Sequence, residues 1–217
     1  GVANYRILKE GPFENVHIPP SPGDGGSAIG CAQYSYFCHA KNKRKREQNV
    51  ERIQNNIYVG PSYSNDEIKS FLDTNKIQYK FLATDLLLKT TAKLISDANI
   101  VGWFQGKMEW GPRTLGNRSI LADPRDPKMK DILNEKIKHR ELFRPFAPSI
   151  LEEYVSEYFE LDIPSPYMLL VAKIKKPEKI PAVTHVDGTG RLQTVSKHVN
   201  LLYHSLISEF YKITDVP

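Results

Sequence analysis

The chain has 217 residues, of which 40% are hydrophobic and 25% charged, a composition typical of a soluble globular protein. No apolar run approaches the roughly 20 residues that span a bilayer, and two cysteines cannot build a disulfide framework, so we expect a cytoplasmic protein. The net charge of +5 equals the charge of one basic run, Lys41 with residues 43–46. Such a run is typical of a solvated linker, and without an RNA- or DNA-binding motif it argues against a nucleic-acid partner.

Residues 1–40 are predicted to form two strands, a glycine loop and a helix. The strands are expected at 5–8 and 16–18, and small and apolar residues recur at helical spacing over 28–40. Asp24, which lies between glycines ahead of this helix, fits an N-cap. A segment of this size cannot bury a core of its own, so we expect it to dock onto something larger.

Both cysteines lie within this predicted helix. Cys31 and Cys38 are seven positions apart, a spacing that places them on one face of a helix, so we expect both to face a core. The polar and basic stretch that follows, up to residue 57, is interpreted as a linker or an exposed helix end.

A second unit is predicted from about residue 57. Ser64 and Glu67 have the spacing of a capping box at the start of a helix. The apolar face of that helix would consist of Ile68, Phe71 and Leu72. A strand at 79–82 and a helix at 85–98 follow. The core positions of the second helix would be Leu88, Thr91, Ala92 and Ile95. This alternation of helices and strands predicts an α/β layer structure.

The next stretch predicts an anion-binding loop. Residues 100–104 form a short apolar run typical of a buried strand, and the loop behind it is rich in glycine, which lets a backbone approach a ligand closely. Lys107, Arg113 and Arg118 stand between these glycines. Their donors fit the oxygens of a phosphate or a carboxylate.

Further elements are predicted toward the end of the chain. Strands are expected at 120–122, 150–151, 168–174 and 192–195, and helices at 127–140, 152–159 and 200–212. The first of these helices follows Asp126 and Pro127, a common helix start. Its inward side chains would be Met129, Ile132, Leu133 and Ile137.

Six cations lie in turns or at helix ends. They are Arg113, Arg118, Lys138, Arg140, Arg144 and Arg191. Each alone fits a surface charge, but a guanidinium keeps its proton when buried, so a group of them is costly unless an anion completes it. Three or four could hold a triphosphate. The chain has no G-x-x-x-x-G-K-[ST] motif, which argues against a P-loop enzyme.

Two further motifs leave alternatives open. His185 and Asp187 fit either a metal or acid–base pair or a turn, and the glycines that follow them favour the turn. Glu109 fits either a carboxyl shielded by Trp110 or an ion-pair partner of Arg113, four positions on.

The long motifs of this chain resemble a known family. Residues 102–125, 140–149 and 181–195 are similar to signature segments of the O-carbamoyltransferases of nodulation-factor and antibiotic biosynthesis, the NodU/CmcH/TobZ family. Residues 2–30 fit as well, so the resemblance covers nearly the whole chain. Lys107 and Trp110 depart from the family pattern, which has Arg and Phe at these positions.

The resemblance implies a two-domain arrangement. Residues 1–45 would be the tail of an amino-terminal ATPase-like domain of the actin/Hsp70 type, and 46–56 a basic linker. Residues 57–217 would be a carboxy-terminal YrdC-like domain, a twisted mixed sheet flanked by helices and truncated at its end. The metal-binding histidines and a G-G-V-A-L-N motif would lie upstream and an N-T-S-F-N segment downstream, so we expect the fragment alone to be inactive.

The resemblance also implies a reaction. The YrdC-like domain would form carbamoyl-adenylate from carbamoyl phosphate and ATP, and the missing amino-terminal domain would transfer the carbamoyl group to a hydroxyl of a sugar or secondary metabolite. Lys138 and Arg140 are similar to the K-x-R motif of YrdC-like domains. By the same resemblance the catalytic residues would be Lys138, Arg113 and Arg144, and the ligand-binding set would add Arg118, Arg140 and Arg191. Asp24 matches an aspartate that ligates a divalent metal such as Mg or Fe, against the N-cap interpretation.

Two rival functions remain. The YrdC-like resemblance and the basic run are compatible with a module that binds double-stranded RNA, and the chain is also compatible with a catalytically inactive scaffold. The acceptor and the oligomeric state stay open, a homodimer included.

Overall fold

The computed structural model describes residues 1–14, 16–42 and 57–217. The predicted linker at 46–56 and most of the basic run therefore lie outside the described residues. The helices are α1 (Val2–Glu10), α2 (Asp24–Tyr34), α3 (Asn65–Thr74), α4 (Thr84–Ser96), α5 (Met129–Ile132), α6 (Val155–Tyr158) and α7 (Leu201–Thr214). The strands are β1 (Val101–Phe104), β2 (Arg118–Leu121), β3 (Ser149–Leu151), β4 (Ala172–Lys173), β5 (Thr189–Gly190) and β6 (Gln193–Val195). Within the described ranges, no helix has the length and apolarity that crossing a bilayer requires.

Residues 2–10 form a helix and residues 16–18 form no strand, so the prediction of strands at 5–8 and 16–18 is wrong. In α1, Tyr5 and Leu8 are three positions apart and pack side by side against the main core. Arg6 donates from Nε and Nη2 to the carboxylate of Glu10 one turn later, with the shortest of these distances 2.9 Å. These i,i+3 and i,i+4 contacts stabilise a helix, and a strand cannot make them.

Helix α2 begins at Asp24, four residues before the predicted helix, and continues into a π-helical turn at Ser35–His39. Gly23 is the N-cap, and the Asp24 side chain makes no capping hydrogen bond, so the N-cap interpretation of Asp24 is wrong by one position. Cys31 and Cys38 are both exposed, contrary to the expectation that they face a core. Neither α2 nor the π turn buries a residue, so there is no core for the two cysteines to face.

Helix α3 confirms the capping box but not its predicted burial. Ser64 Oγ accepts from the Glu67 backbone N–H at 3.2 Å, and the Glu67 carboxylate accepts from the Ser64 backbone N–H at 2.7 Å. The helix buries none of its residues, and Phe71 is 62% exposed. Residues 79–82, predicted as a strand, form no strand.

The core is built on α4 and α7, which pack against each other. Helix α4 buries the four side chains predicted from its spacing, Leu88, Thr91, Ala92 and Ile95. Helix α7 starts where predicted, because the Asn200 side chain accepts from the Tyr203 backbone N–H at 3.2 Å and caps it. Tyr203, Leu206 and Phe210 of α7 complete this side of the core.

The strands form three two-stranded pairs. β1 pairs with β2 and β4 with β5 in antiparallel fashion, whereas β3 and β6 are parallel. The α/β class and the mixed strand directions are as predicted. The described residues do not join these pairs into the one twisted mixed sheet that was expected. The predicted strand at 168–174 is reduced to β4.

The segment after α5 changes its helical period. A π-helical turn covers Leu133–Lys138, and His139 ends it in the left-handed conformation with φ of 47°. Met129 and Leu133 are buried as predicted, but Ile137 is 42% exposed, so its inward placement is wrong. The wider π turn rotates Ile137 out of the stripe that an uninterrupted α-helix would bury.

Candidate functional site

Four of the six predicted cations surround one cavity. It has a volume of about 400 Å³ and lies against α4, α7 and β3. The cations that line it are Arg113, Lys138, Arg140 and Arg191, and the described residues contribute no Asp or Glu to its wall. We call it the cationic cavity. Its other walls are mostly apolar, among them Leu121, Phe146, Ile150 and Phe159.

Arg191 is the most enclosed of these cations. Burial lowers the pKa of its guanidinium, and the positive charges of Arg113 and Arg140 lower it further. Its Nε–H is buried and has no hydrogen-bond partner among the described residues. A buried donor without an acceptor is unfavourable, so an acceptor placed at this N–H would stabilise Arg191.

Arg118 does not reach the cationic cavity. Its terminal N–H groups donate to four backbone carbonyls, those of Pro61, Gln105, Gly106 and Asn117, at 2.6–3.1 Å. Its guanidinium carbon lies 3.5 Å from the centre of the Phe104 ring, in a cation–π contact. With its donors occupied in this way, Arg118 ties the glycine loop to the segment that begins at residue 57.

Arg144 also lies away from the cavity wall. Its Nε is 2.8 Å from the Glu141 carboxylate, and both side chains are more than half exposed. The structure thus brings Arg113 and Lys138 together with Arg140 and Arg191, but not with Arg144, the third predicted catalytic residue.

Glu109 organises the loop that carries Arg113. This residue is 5% exposed, and its Oε1 accepts from the backbone N–H groups of Leu115 (2.7 Å), Asn117 (2.7 Å) and Arg118 (3.3 Å). Its partners are therefore backbone amides, and no ion pair with Arg113 forms among the described residues. Of the two alternatives for Glu109, the ion pair with Arg113 is wrong, because the loop folds back over the carboxylate.

A buried hydrogen-bond network holds the same loop against α7. Gln105 Nε2 donates to Asn117 Oδ1 (3.0 Å) and Asn200 Oδ1 (2.8 Å), and Asn200 Nδ2 donates to Asn117 Oδ1 (2.9 Å). Gly116 fits here with φ of +103°, because a Cβ would lie 2.3 Å from the Tyr203 ring. Sequence reasoning singled out Glu109 but not its amide partners, and it missed the Gln105–Asn117–Asn200 network, whose contacts with Asn200 join distant positions.

His185 and Asp187 form a turn, as the glycines favoured. Asp187 Oδ1 accepts from the Thr189 hydroxyl at 2.6 Å, and the hydroxyl oxygen lies 3.0 Å from His185 Nδ1. Since the hydroxyl donates to Asp187, it accepts from Nδ1–H, which leaves His185 Nε2 as a buried acceptor without a partner among the described residues. Burial lowers the pKa of His185; the charge of Asp187 opposes this effect in part, and that of Arg191 adds to it.

The described residues do not assemble a metal site. No group of three or more His, Cys, Asp or Glu side chains that could hold an ion occurs among them. Asp24 is exposed at the start of α2. A metal at Asp24 would need ligands from elsewhere, so Asp24 stays a predicted ligand and no reaction step is assigned to it.

Comparison with known proteins identifies the class. Residues 92–217, more than half of the chain, match the family model for the carbamoyltransferase C-terminus, and residues 1–33 match the model for the carbamoyltransferase N-terminus. The chain belongs to the carbamoyltransferase family, which confirms the resemblance.

Individual relatives align with almost the whole chain. The uncharacterized protein sll1178 of Synechocystis is 42% identical over 99% of this chain and 38% of its own length. Nodulation protein NolNO of Sinorhizobium fredii is 39% identical over 99% of this chain and 32% of its own length, and nodulation protein U of the same organism is 36% identical over 99% and 36%. The chain thus spans about a third of the length of these relatives.

Proposed function

We propose that this chain contributes the phosphate-binding part of an ATP-dependent O-carbamoyltransferase. A YrdC-like domain from about residue 57 would form carbamoyl-adenylate from carbamoyl phosphate and ATP. A hydroxyl group of a sugar or secondary metabolite would then accept the carbamoyl group. The observation that carries the proposal is the convergence of four cations on the cationic cavity, together with membership of the family.

The charge distribution of the cavity supports an anionic ligand. Arg113 and Arg140 both lower the pKa of Arg191, so these cations repel one another when no anion lies between them. Each charge-assisted hydrogen bond contributes about 1.5–3 kcal/mol, so three or four would hold a polyphosphate firmly. The apolar wall formed by Ile150, Phe159 and Leu206 gives room for an uncharged part of the same ligand, such as a nucleoside.

The proposed chemistry depends mainly on positioning and electrostatics. Water would first cleave the O–P bond of carbamoyl phosphate, which releases inorganic phosphate and leaves a carbamate anion. A carbamate oxygen would then attack the α-phosphorus of ATP, forming the new O–P bond, and the bond to pyrophosphate would break. The nucleophile is already an anion, so no general base is needed. Lys138 and Arg113 would stabilise the negative charge that develops on the phosphate oxygens.

The division of the protein is part of the same proposal. Residues 1–45 would belong to an ATPase-like amino-terminal domain that holds the metal and the acceptor, with 46–56 as the connection. Residues 1–33 match the carbamoyltransferase N-terminus model, which supports this division. The remainder of that amino-terminal domain would be the interaction partner of residues 57–217. The whole enzyme would be cytoplasmic.

Lys138→Ala in the full-length enzyme tests the reaction. Removing one preorganised charge from a transition state lowers rates by about 100-fold or more, so carbamoyl phosphate-dependent ATP/pyrophosphate exchange should fall by that factor. Lys136→Ala is the matched control, since this exposed lysine belongs to the same π turn but does not line the cavity. Unchanged exchange in Lys138→Ala would remove Lys138 from the mechanism.

A further inference from the structure

A fully buried amide holds one of the cavity cations. Asn134 is 0% exposed, and its Oδ1 accepts from Arg140 Nε at 2.7 Å. Its Nδ2 donates to the backbone carbonyls of Arg144 (2.9 Å) and Leu142 (3.2 Å). Both the acceptor and the donors of this amide are used, so its orientation is fixed.

The backbone of Asn134 closes the same turn. Its carbonyl accepts from the backbone N–H of Arg140 at 3.1 Å and from that of His139, the left-handed residue that ends the π turn. Lys138 and Arg140, on either side of His139, both line the cationic cavity. Asn134 therefore defines the path of the chain and the direction of one cationic side chain.

The neutral charge of Asn134 matters as much as its geometry. Asp123 holds Arg125 with a carboxylate at 2.6 Å, which neutralises that guanidinium and raises its pKa. An amide holds a guanidinium without adding a negative charge. The remaining N–H groups of Arg140 have no protein hydrogen-bond partner among the described residues, and its guanidinium carbon lies 4.8 Å from the centre of the Phe146 ring. Its charge stays available to a ligand.

We propose that Asn134 is a positioning residue that holds Arg140 at the wall of the cationic cavity and leaves its charge uncompensated, so that Arg140 binds a phosphate group there. The proposal rests on the proposed function only in requiring that this cavity binds phosphate. It extends the set of functional residues to a side chain that does not itself line the cavity.

The test is a titration of inorganic pyrophosphate into the intact protein at constant ionic strength, followed by calorimetry. Arg140→Ala, Asn134→Ala and Asn134→Asp should each weaken binding at least about 10-fold, since each removes the effect of one charge-assisted contact. Asn134→Asp keeps an acceptor for Arg140 Nε but compensates its charge. In the Arg140→Ala background, Asn134→Ala should not lower the affinity further.

A spectroscopic signal separates positioning from general destabilisation. The Arg140 Nε–H resonance, assigned by its loss in Arg140→Ala, should be protected from solvent exchange in the wild type and not in Asn134→Ala. Asp123→Asn is the matched control: it weakens the hold on a guanidinium outside the cavity, so it should lower the melting temperature and leave pyrophosphate affinity unchanged. If Asn134→Ala does not fold, the pyrophosphate affinity of Asn134→Asp alone decides whether the proposal stands.

Three results would overturn the proposal. Wild-type affinity in both Asn134 variants, with weakened binding in Arg140→Ala, would show that Arg140 acts without Asn134 and would leave the proposed function intact. An equal loss from Asn134→Ala with and without Arg140 would show a purely structural role. No pyrophosphate binding by the wild type would overturn the proposed function as well.

Discussion

Two groups of arginines in this protein differ in what surrounds them. Arg118 and Arg125 have their donors filled by backbone carbonyls or by the Asp123 carboxylate. Arg113, Arg140 and Arg191 form no ion pair within the described ranges, although they share a cavity. The first group stabilises the fold, and the second is the group that we propose to bind a ligand. Whether an arginine serves structure or binding depends on its contact partners.

Arg125→Met should have the largest effect on folding. It leaves the Asp123 carboxylate, 4% exposed, without its partner and removes a donor to the Ser96 carbonyl. Hydrogen bonds to a charged group contribute about 1.5–3 kcal/mol, which for a chain of this size corresponds to a melting temperature lower by roughly 5–10 °C. Thermal unfolding measures this change. A loss of pyrophosphate affinity with unchanged stability would reverse the assignment of Arg125.

Arg191→Met should lower pyrophosphate affinity without lowering stability. Pyrophosphate affinity is expected to fall about 10- to 100-fold, because one charge-assisted contact is lost. The melting temperature should stay the same or rise, since the substitution removes a buried charge and its unpaired Nε–H donor. Calorimetry and thermal unfolding on the same samples check both. A large drop in stability would show that Arg191, like Arg118 and Arg125, stabilises the fold.

Glu109→Gln should have a smaller effect on stability. The amide keeps an oxygen for the N–H groups of Leu115 and Asn117 but loses the negative charge, so we expect a loss of about 1 kcal/mol, or roughly 2–4 °C. Because Glu109 does not neutralise Arg113, pyrophosphate affinity should stay within about twofold of the wild type. An affinity that rises well beyond this in Glu109→Gln would show that Glu109 and Arg113 form a pair in solution.

The smallest effect is expected from the pH dependence of His185. Burial and Arg191 lower its pKa from the ordinary value of 6.5, so the folded protein keeps it neutral while the unfolded chain takes up a proton as the pH falls. The unfolded state then binds more protons, and the free energy of unfolding decreases below about pH 6.5. The difference in melting temperature between wild type and His185→Gln should therefore shrink from pH 7.5 to pH 5.5. A constant difference would contradict the lowered pKa.

Local patterns predicted the parts of the fold that depend on local contacts. The four buried residues of α4 follow from helical spacing, and the caps of α3 and α7 follow from side chains within one turn. The error at α1 has the same origin. Its five apolar or aromatic residues are few enough to fit a strand, and only the contact between Arg6 and Glu10 distinguishes the helix.

The site was predictable as a set of cations but not as an arrangement. Arg113 and Arg118 lie in one loop with similar neighbours, so the sequence does not separate the residue at the cavity from the one held by carbonyls. The sequence does not indicate a role for Asn134, because its hydrogen bond to Arg140 depends on the π turn between them. The missing information is in each case the identity of a contact partner.

That π turn has a consequence for how binding could change in this family. A π turn contains one more residue than an α turn, and each helical residue rotates the following side chains by about 100°. Deleting a single amino acid between Leu133 and Lys138 would restore a regular α-helix. The Lys138 side chain would then point in a different direction. The direction of Lys138 relative to the cationic cavity would therefore change with chain length alone, while every remaining side chain keeps its identity.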